Sequence, residues 1–194
     1  MDPTTAIGSV LASFGLAGAA GLNAWLPLFA SALLDRLGVV DLGAPFDQLS
    51  TTTGLVVLGT LLVLDFVGDK VPALDHALHA AGTVIAPASG AALFTGQAGF
   101  ETDIPTLVTV LAGGAVAEVV HLARAALRAA SSATTATLAN PVLSLGEDAT
   151  SGALTAIAFL APILAVLAVA AMGIAGAMAW RSRRRAPPRT GPAR

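Results

Sequence analysis

The stretch GAAGLNAWLP, residues 18–27, lies in the middle of an uncharged run of about 29 residues from Ala6 to Leu34. A membrane helix needs about 20 apolar residues to cross, so this run exceeds a straight span and must tilt, kink or break. Gly18, Gly21, Asn23 and Pro27 weaken the backbone ladder together, and Pro27 removes a donor and crowds the preceding turn. A kink or a true break near Asn23 is expected. A signal peptide is the competing reading; it fails because MDPTTAIG carries no lysine or arginine and the run is too long for an h-region.

Composition points the same way. Hydrophobic residues make up 55% of the 194 residues and charged ones 11%, with mean hydropathy +0.79, whereas soluble domains carry about 25% charge. One domain, residues 1–180, is expected to form an all-α polytopic transmembrane bundle of about five spans with kinked or re-entrant segments. The net charge of −2 hides an asymmetry: of the ten basic residues, all but Arg36, Lys70, Arg124 and Arg128 follow Trp180. With no cysteine, disulfides and thiolate metal sites are excluded.

Beyond the first run, TGLVVLGTLLVLDFVGDKVP (53–72) is apolar but admits Asp65 before Asp69, Lys70 and Pro72. ALDHALHAAG (73–82) reads as a short interfacial helix. The run Gly82 to Gly99 contains Pro87 and Gly90 and either spans or re-enters. A fourth segment starts at Ile104, SSATTATLANPVLSLGEDATSG (131–152) reads as a polar connector, and a fifth run extends from Ala153 to Trp180. Trp180 is an interfacial anchor and residues 181–194 a basic, disordered tail, cytoplasmic by the positive-inside tendency. Five crossings put the N-terminus outside, Arg36 on the tail's side, and Lys70, Arg124 and Arg128 on the other. Small residues, as in Gly113 with Ala117 or Gly173 with Ala177, provide packing seams.

The fourth segment ends in AEVVHLARAALR (117–128). At about 100° per residue, His121, Arg124 and Arg128 fall within roughly 60° of one another, with Glu118 alongside. Charges at membrane depth are costly, so this face is expected to line the interior, Glu118 deepest. Snorkelling to headgroups is the simpler account of Arg128. Asp65 and Asp69, at i,i+4, are the expected partners of the basic stripe, as architecture or as function; Lys70 is satisfied by Asp69. Asn23 either exposes half-helix amides to a cavity or bonds across a seam for about 0.6 kcal/mol. LAGAAGLN (16–23) and LAGGAVAE (111–118) align without gaps, which an odd number of crossings would make an inverted pair.

In NPVLSLGED (140–148), Asn140-Pro141 signals a turn or a short helix, and Ser144 with Glu147 forms a capping box, Glu147 and Asp148 suiting the start of the last helix. Asp75, His76 and His79 lack a third clear ligand pattern, so no metal site or cofactor is expected.

These motifs resemble a family. GAAGLNAWLPLF, DKVPALDHA, PASGAAL, HLARAALR and NPVLSLGED occur in the order found in the bacterial membrane proteins grouped as domain of unknown function 4126, from about Gly15 to Pro162. The resemblance points to Gly21, Asn23, Pro27, Asp69, Lys70, Pro72, Asp75, Pro87, Gly90, His121, Arg128, Asn140, Pro141, Ser144, Glu147 and Asp148. It favours a lysine where Arg124 stands, a change that keeps the charge and alters its geometry. It implies residence in the bacterial inner membrane and supplies no reaction.

The leading functional expectation is a small-solute or ion transporter or channel-like protein, homo-oligomeric, with Asn23, Asp65, Asp69, Glu118 and His121 along a polar path. The alternative is a non-transporting scaffold or assembly factor whose buried charges are architectural pairs. A lipid-modifying enzyme using His121 as base ranks below both. The arginine tail is read as a topology and lipid-headgroup element, with membrane lipids and no nucleic acid as partners.

Overall fold

A computed structural model describes residues 3–68, 72–135 and 140–185. Its elements are α1 (Pro3–Leu22), α2 (Trp25–Arg36), a 3-10 turn (Phe46–Ser50), α3 (Thr52–Gly68), α4 (Pro72–Glu101), α5 (Thr106–Thr135), α6 (Asn140–Leu160) and α7 (Pro162–Arg185). The fold is an all-α bundle.

The first hydrophobic run is broken. α1 ends at Leu22 and α2 starts at Trp25, and the chain reverses between them, so that Asp35, Gly38 and Asp41 lie beside Thr5 and Ser9 of α1. Pro27 fits because it is the third residue of α2, where a helix N–H has no intrahelical acceptor. α3 then runs back along α2: Arg36 Nη1 donates to Ser50 O at 3.1 Å, and the Phe29 ring covers Gly59, reaching within 3.3 Å of where a Cβ would be. This return brings Asp65 level with Asn23.

Two segment boundaries differ from the sequence reading. The short helix at 73–82 and the run from Gly82 to Gly99 are one helix, α4, about 45 Å long at 1.5 Å per residue. Pro87 is tolerated inside it because it frees only the carbonyl of Thr83, on the exposed face, while α5 braces the helix on the other side. That bracing is close: a Cβ on Gly90 would sit 2.5 Å from Ala117 Cβ and 2.6 Å from the Gly113 carbonyl oxygen. The expected connector at 131–152 is helical instead, 131–135 ending α5 and 140–152 belonging to α6. Its hydroxyls need not compete with the helix, since they can bond their own backbone, as Thr150 Oγ1 does to Gly146 O at 2.6 Å.

The fifth run is also split. Pro162 cannot donate to the ladder, so α6 stops at Leu160 and α7 begins at Pro162, the favoured place for proline. α6 runs antiparallel to α1, with Asp148 beside Asn23 and Ala158 beside Gly15. α7 returns parallel to α1, Ala165 against Gly15 and Val169 against Gly18. It is parallel to α5 as well, Gly173 facing Val119 and Gly176 facing Ala123. Hence α1 and α5, which carry the two aligned eight-residue segments, run the same way, and the inverted pair is not formed.

This topology corrects the charge tally. Arg124 and Arg128 emerge at the same end of the bundle as Arg181, because α5 and α7 are parallel, while Arg36 ends α2 at the opposite end with Asp41 and Asp103. α7 itself continues through Arg185 rather than ending at Trp180, arginine being a good helix former.

The outside of the bundle is apolar. Val56, Val63, Phe66 and Val67 of α3, Leu107 and Leu111 of α5, and Ile163, Leu167 and Ile174 of α7 are all exposed. Three helices, over Thr5–Leu22, Thr106–Ala129 and Pro162–Arg181, are long and apolar enough to cross a membrane. Surface of this kind belongs in lipid. Inside, small residues dominate: Ala17, Ala19, Ala20, Ala117 and Ala158 are fully buried. Polar side chains share that interior.

Candidate functional site

Asn23, 2% exposed, fills the gap between α1 and α2. Its Oδ1 accepts from the backbone N–H groups of Trp25 at 3.0 Å and Leu26 at 2.9 Å, which caps α2. Its Nδ2 donates to Asp65 Oδ2 at 3.1 Å and Asp148 Oδ1 at 2.8 Å. One amide thus joins the helix break, the end of α3 and the middle of α6. The half-helix amides expected to face a cavity are taken by Asn23 itself, and its bonds go well beyond a single seam contact. Ser151 Oγ adds a tie, donating to Ala19 O at 2.9 Å in the last turn of α1.

One residue earlier on α6, Glu147 holds both arginines of α5. Arg124 Nε donates to Glu147 Oε2 at 2.7 Å, and Arg128 reaches the same carboxylate through Nε at 2.9 Å and Nη2 at 2.6 Å. Arg128 is 5% exposed. Snorkelling is therefore overturned for Arg128, because a bidentate carboxylate within reach satisfies the guanidinium better than a headgroup outside. The capping-box reading of Ser144 and Glu147 also gives way: α6 starts at Asn140-Pro141, leaving Ser144 and Glu147 inside the helix and the glutamate free to pair with arginine.

Beside this centre lies a cavity of about 210 Å³ lined by Asp65, His121 and Arg124 together with Trp25, Leu61 and Ala86. α4 comes close enough to shape it only because residue 82 is glycine; a Cβ there would be 2.8 Å from His121 Cε1. The cavity combines an acid, an imidazole and a guanidinium inside apolar walls. Such a space can order water or hold a small polar solute.

The structure brings together Asn23, Asp65, His121, Arg124, Arg128, Glu147 and Asp148, with Ser144 buried on the same face of α6. Glu118 stands apart. Among the described residues its carboxylate joins none of these bonds, and Oε2 is buried without a hydrogen-bond partner. Gly21 serves close packing, since a Cβ there would lie 2.7 Å from Val120 Cβ. Pro87 lies within α4 and Pro141 is the exposed second residue of α6. Asp69 and Lys70, and their expected pairing, lie outside the described residues, as do the side chains of Pro72, Asp75, His76, His79 and Asn140.

Sequence reasoning missed Ser151 and the roles of Glu147 and Asp148 at the centre. The signal was there: Ser144, Asp148, Ser151 and Thr155 recur at helical spacing and all are buried. Reading 131–152 as a connector concealed it.

No curated protein and no solved structure matches the chain. A family model does, over residues 10–182, and its span takes in the helix break, the α5 arginines and the polar face of α6. The chain belongs to that family, described as Domain of unknown function (DUF4126).

Proposed function

We propose that the protein sits in the bacterial cytoplasmic membrane and passes a small polar solute or ion through the centre built on Asn23. The cavity of about 210 Å³, with Asp65, His121 and Arg124 on its walls, carries this reading. At about 30 Å³ per water it has room for roughly seven waters or one small solute. Ionisable groups at membrane depth mark solute and ion paths, and a helix broken at the same level provides the element that can move. The arginine-rich end carrying Arg124, Arg128 and Arg181 faces the cytoplasm, which puts the start of α1 outside. A homo-oligomer encloses the pathway, because so few long helices leave it thinly walled.

The test is a flux screen of small ions and solutes in proteoliposomes, comparing wild type with Asp65→Asn. A flux lowered at least tenfold in the variant supports the reading. An unaltered flux, or none above empty vesicles for any solute, counts against it.

The second reading, a scaffold, draws on the Arg124, Arg128 and Glu147 unit, in which one carboxylate holds two guanidinium groups. It predicts that joint replacement of Arg124, Arg128 and Glu147 by methionine leaves partner binding and stability intact, whereas replacing Glu147 alone does not.

A further inference from the structure

At the end of the bundle opposite the arginines, a pocket of about 550 Å³ is lined by Thr5 and Ser9 of α1, Asp35 at the end of α2, Gly38 and Asp41 of the following loop, and Gln97 of α4. Among the described residues, no lysine, arginine or histidine lines it. The neighbouring cation is turned away, Arg36 donating to Ser50 O at 3.1 Å. Asp35 Oδ1 accepts from the Leu42 N–H at 2.9 Å, which folds the loop over the pocket and leaves Oδ2 of that carboxylate available. The loop is pinned to α4 as well, Gly43 N–H donating to Gly96 O at 3.3 Å.

Gln97 decides what the pocket wants. It is 9% exposed, and its Oε1 is buried without a hydrogen-bond partner. A buried acceptor left in this way costs about 1–3 kcal/mol unless a donor or a cation meets it. The polar side chains around it offer oxygen, two carboxylates, an amide carbonyl and two hydroxyls, and Val39 and Val40 complete the lining. Oxygen-only donor sets of mixed charge suit hard divalent cations, and a roomy, open site lets the ion keep part of its water shell.

We propose that this pocket binds a divalent metal ion of the calcium class through Asp35, Asp41 and Gln97. The ion joins the end of α2, the following loop and α4, so it clamps the loop over residues 38–41 to the bundle. Asp41 is exposed in the loop after α2, which makes it the clean position to change. The site stands independently of the transport reading, because it lies at the far end of α1 from Asn23.

The experiment is isothermal titration of the purified full chain in detergent with CaCl₂, paired with thermal unfolding in CaCl₂ against KCl at matched ionic strength. Expected are a saturable binding isotherm in the 10⁻⁴–10⁻³ M range typical of extracellular sites and a raised unfolding midpoint. Asp41→Asn and Gln97→Leu each weaken binding at least tenfold while unfolding normally without calcium. Absence of saturable heat in wild type overturns the proposal, as does an Asp41→Asn protein that binds calcium as wild type does. MgCl₂ is the second probe, expected to bind more weakly because it demands stricter octahedral geometry; equal affinity for both ions overturns the assignment to the calcium class.

Discussion

Asn23 Nδ2 lies 2.8 Å from Asp148 Oδ1, a bond that ties the break in the first hydrophobic run to a helix 125 residues further along the chain. Neither residue is costly where it stands, because each supplies what the other lacks: a carboxylate needs donors, and a helix N-terminus needs an acceptor. The same asparagine serves both.

Replacing Asn23 by alanine removes the cap, worth about 1 kcal/mol, and two hydrogen bonds to carboxylates, each worth about 1.5–3 kcal/mol. The unfolding midpoint of Asn23→Ala in detergent is expected to fall well below wild type. Asn23→Asp keeps the capping oxygen but sets a third carboxylate against Asp65 and Asp148, and it should be no more stable than the alanine variant. Wild-type stability in Asn23→Asp would mean that the bridge is not made.

Glu147 pairs with two arginines at once, Arg124 and Arg128, so its loss is asymmetric. Glu147→Ala takes the bidentate carboxylate from buried Arg128, and breaking a buried pair from one side costs about 3–5 kcal/mol. Arg128→Met combined with Glu147→Met should recover the part of that loss that falls on Arg128, while Arg124 still loses its bond to Glu147. A double-mutant cycle of unfolding in mixed micelles measures the coupling, and additive losses would show that the two side chains do not interact.

Glycine at α4 and α5 is a matter of space. Gly90→Ala forces a methyl to 2.5 Å from Ala117 Cβ and is expected to cost about 1–3 kcal/mol through overpacking. Gly146→Ala, inside α6 with nothing within 4 Å of the new Cβ, should stabilise by about 0.5–1 kcal/mol. Thermal unfolding of the pair gives opposite signs if the α4/α5 contact is as close as described.

The chain has no cysteine, so single substitutions report sidedness directly. Val39→Cys, exposed beyond α2, should react with a membrane-impermeant maleimide from outside intact cells, and Arg181→Cys only after lysis. Labelling of both from one side would contradict the parallel course of α1 and α7.

Much of this was legible in the sequence, for local reasons. The break at Asn23 follows from glycine, asparagine and proline crowded into one uncharged run, and the inward face of His121, Arg124 and Arg128 from their spacing. What was not legible required knowing which helix lies beside which. Glu147 and Asp148 look like good residues for a helix start, and they become partners of Arg128 and Asn23 only because α6 runs antiparallel to α1. The run from Ala153 to Trp180 counts by length as one span, a parity that changes if it is a hairpin; the break before Pro162 makes that change and moves Arg124 and Arg128 to the other end. Glu118 was placed deepest in the path on burial arguments; the bonds that assemble the centre pass through its neighbours.

The account rests on a wet space at membrane depth, and accessibility of Leu61 tests it most directly. Leu61 lines the cavity, whereas Leu58, one turn earlier on α3, is packed in the core at 4% exposure. A small thiol reagent that reacts only with the ionised form, applied to the protein in its membrane, should modify Leu61→Cys at least tenfold faster than Leu58→Cys. Equal rates, or a Leu61→Cys that stays inert, would mean that water does not reach the residues gathered around Asn23.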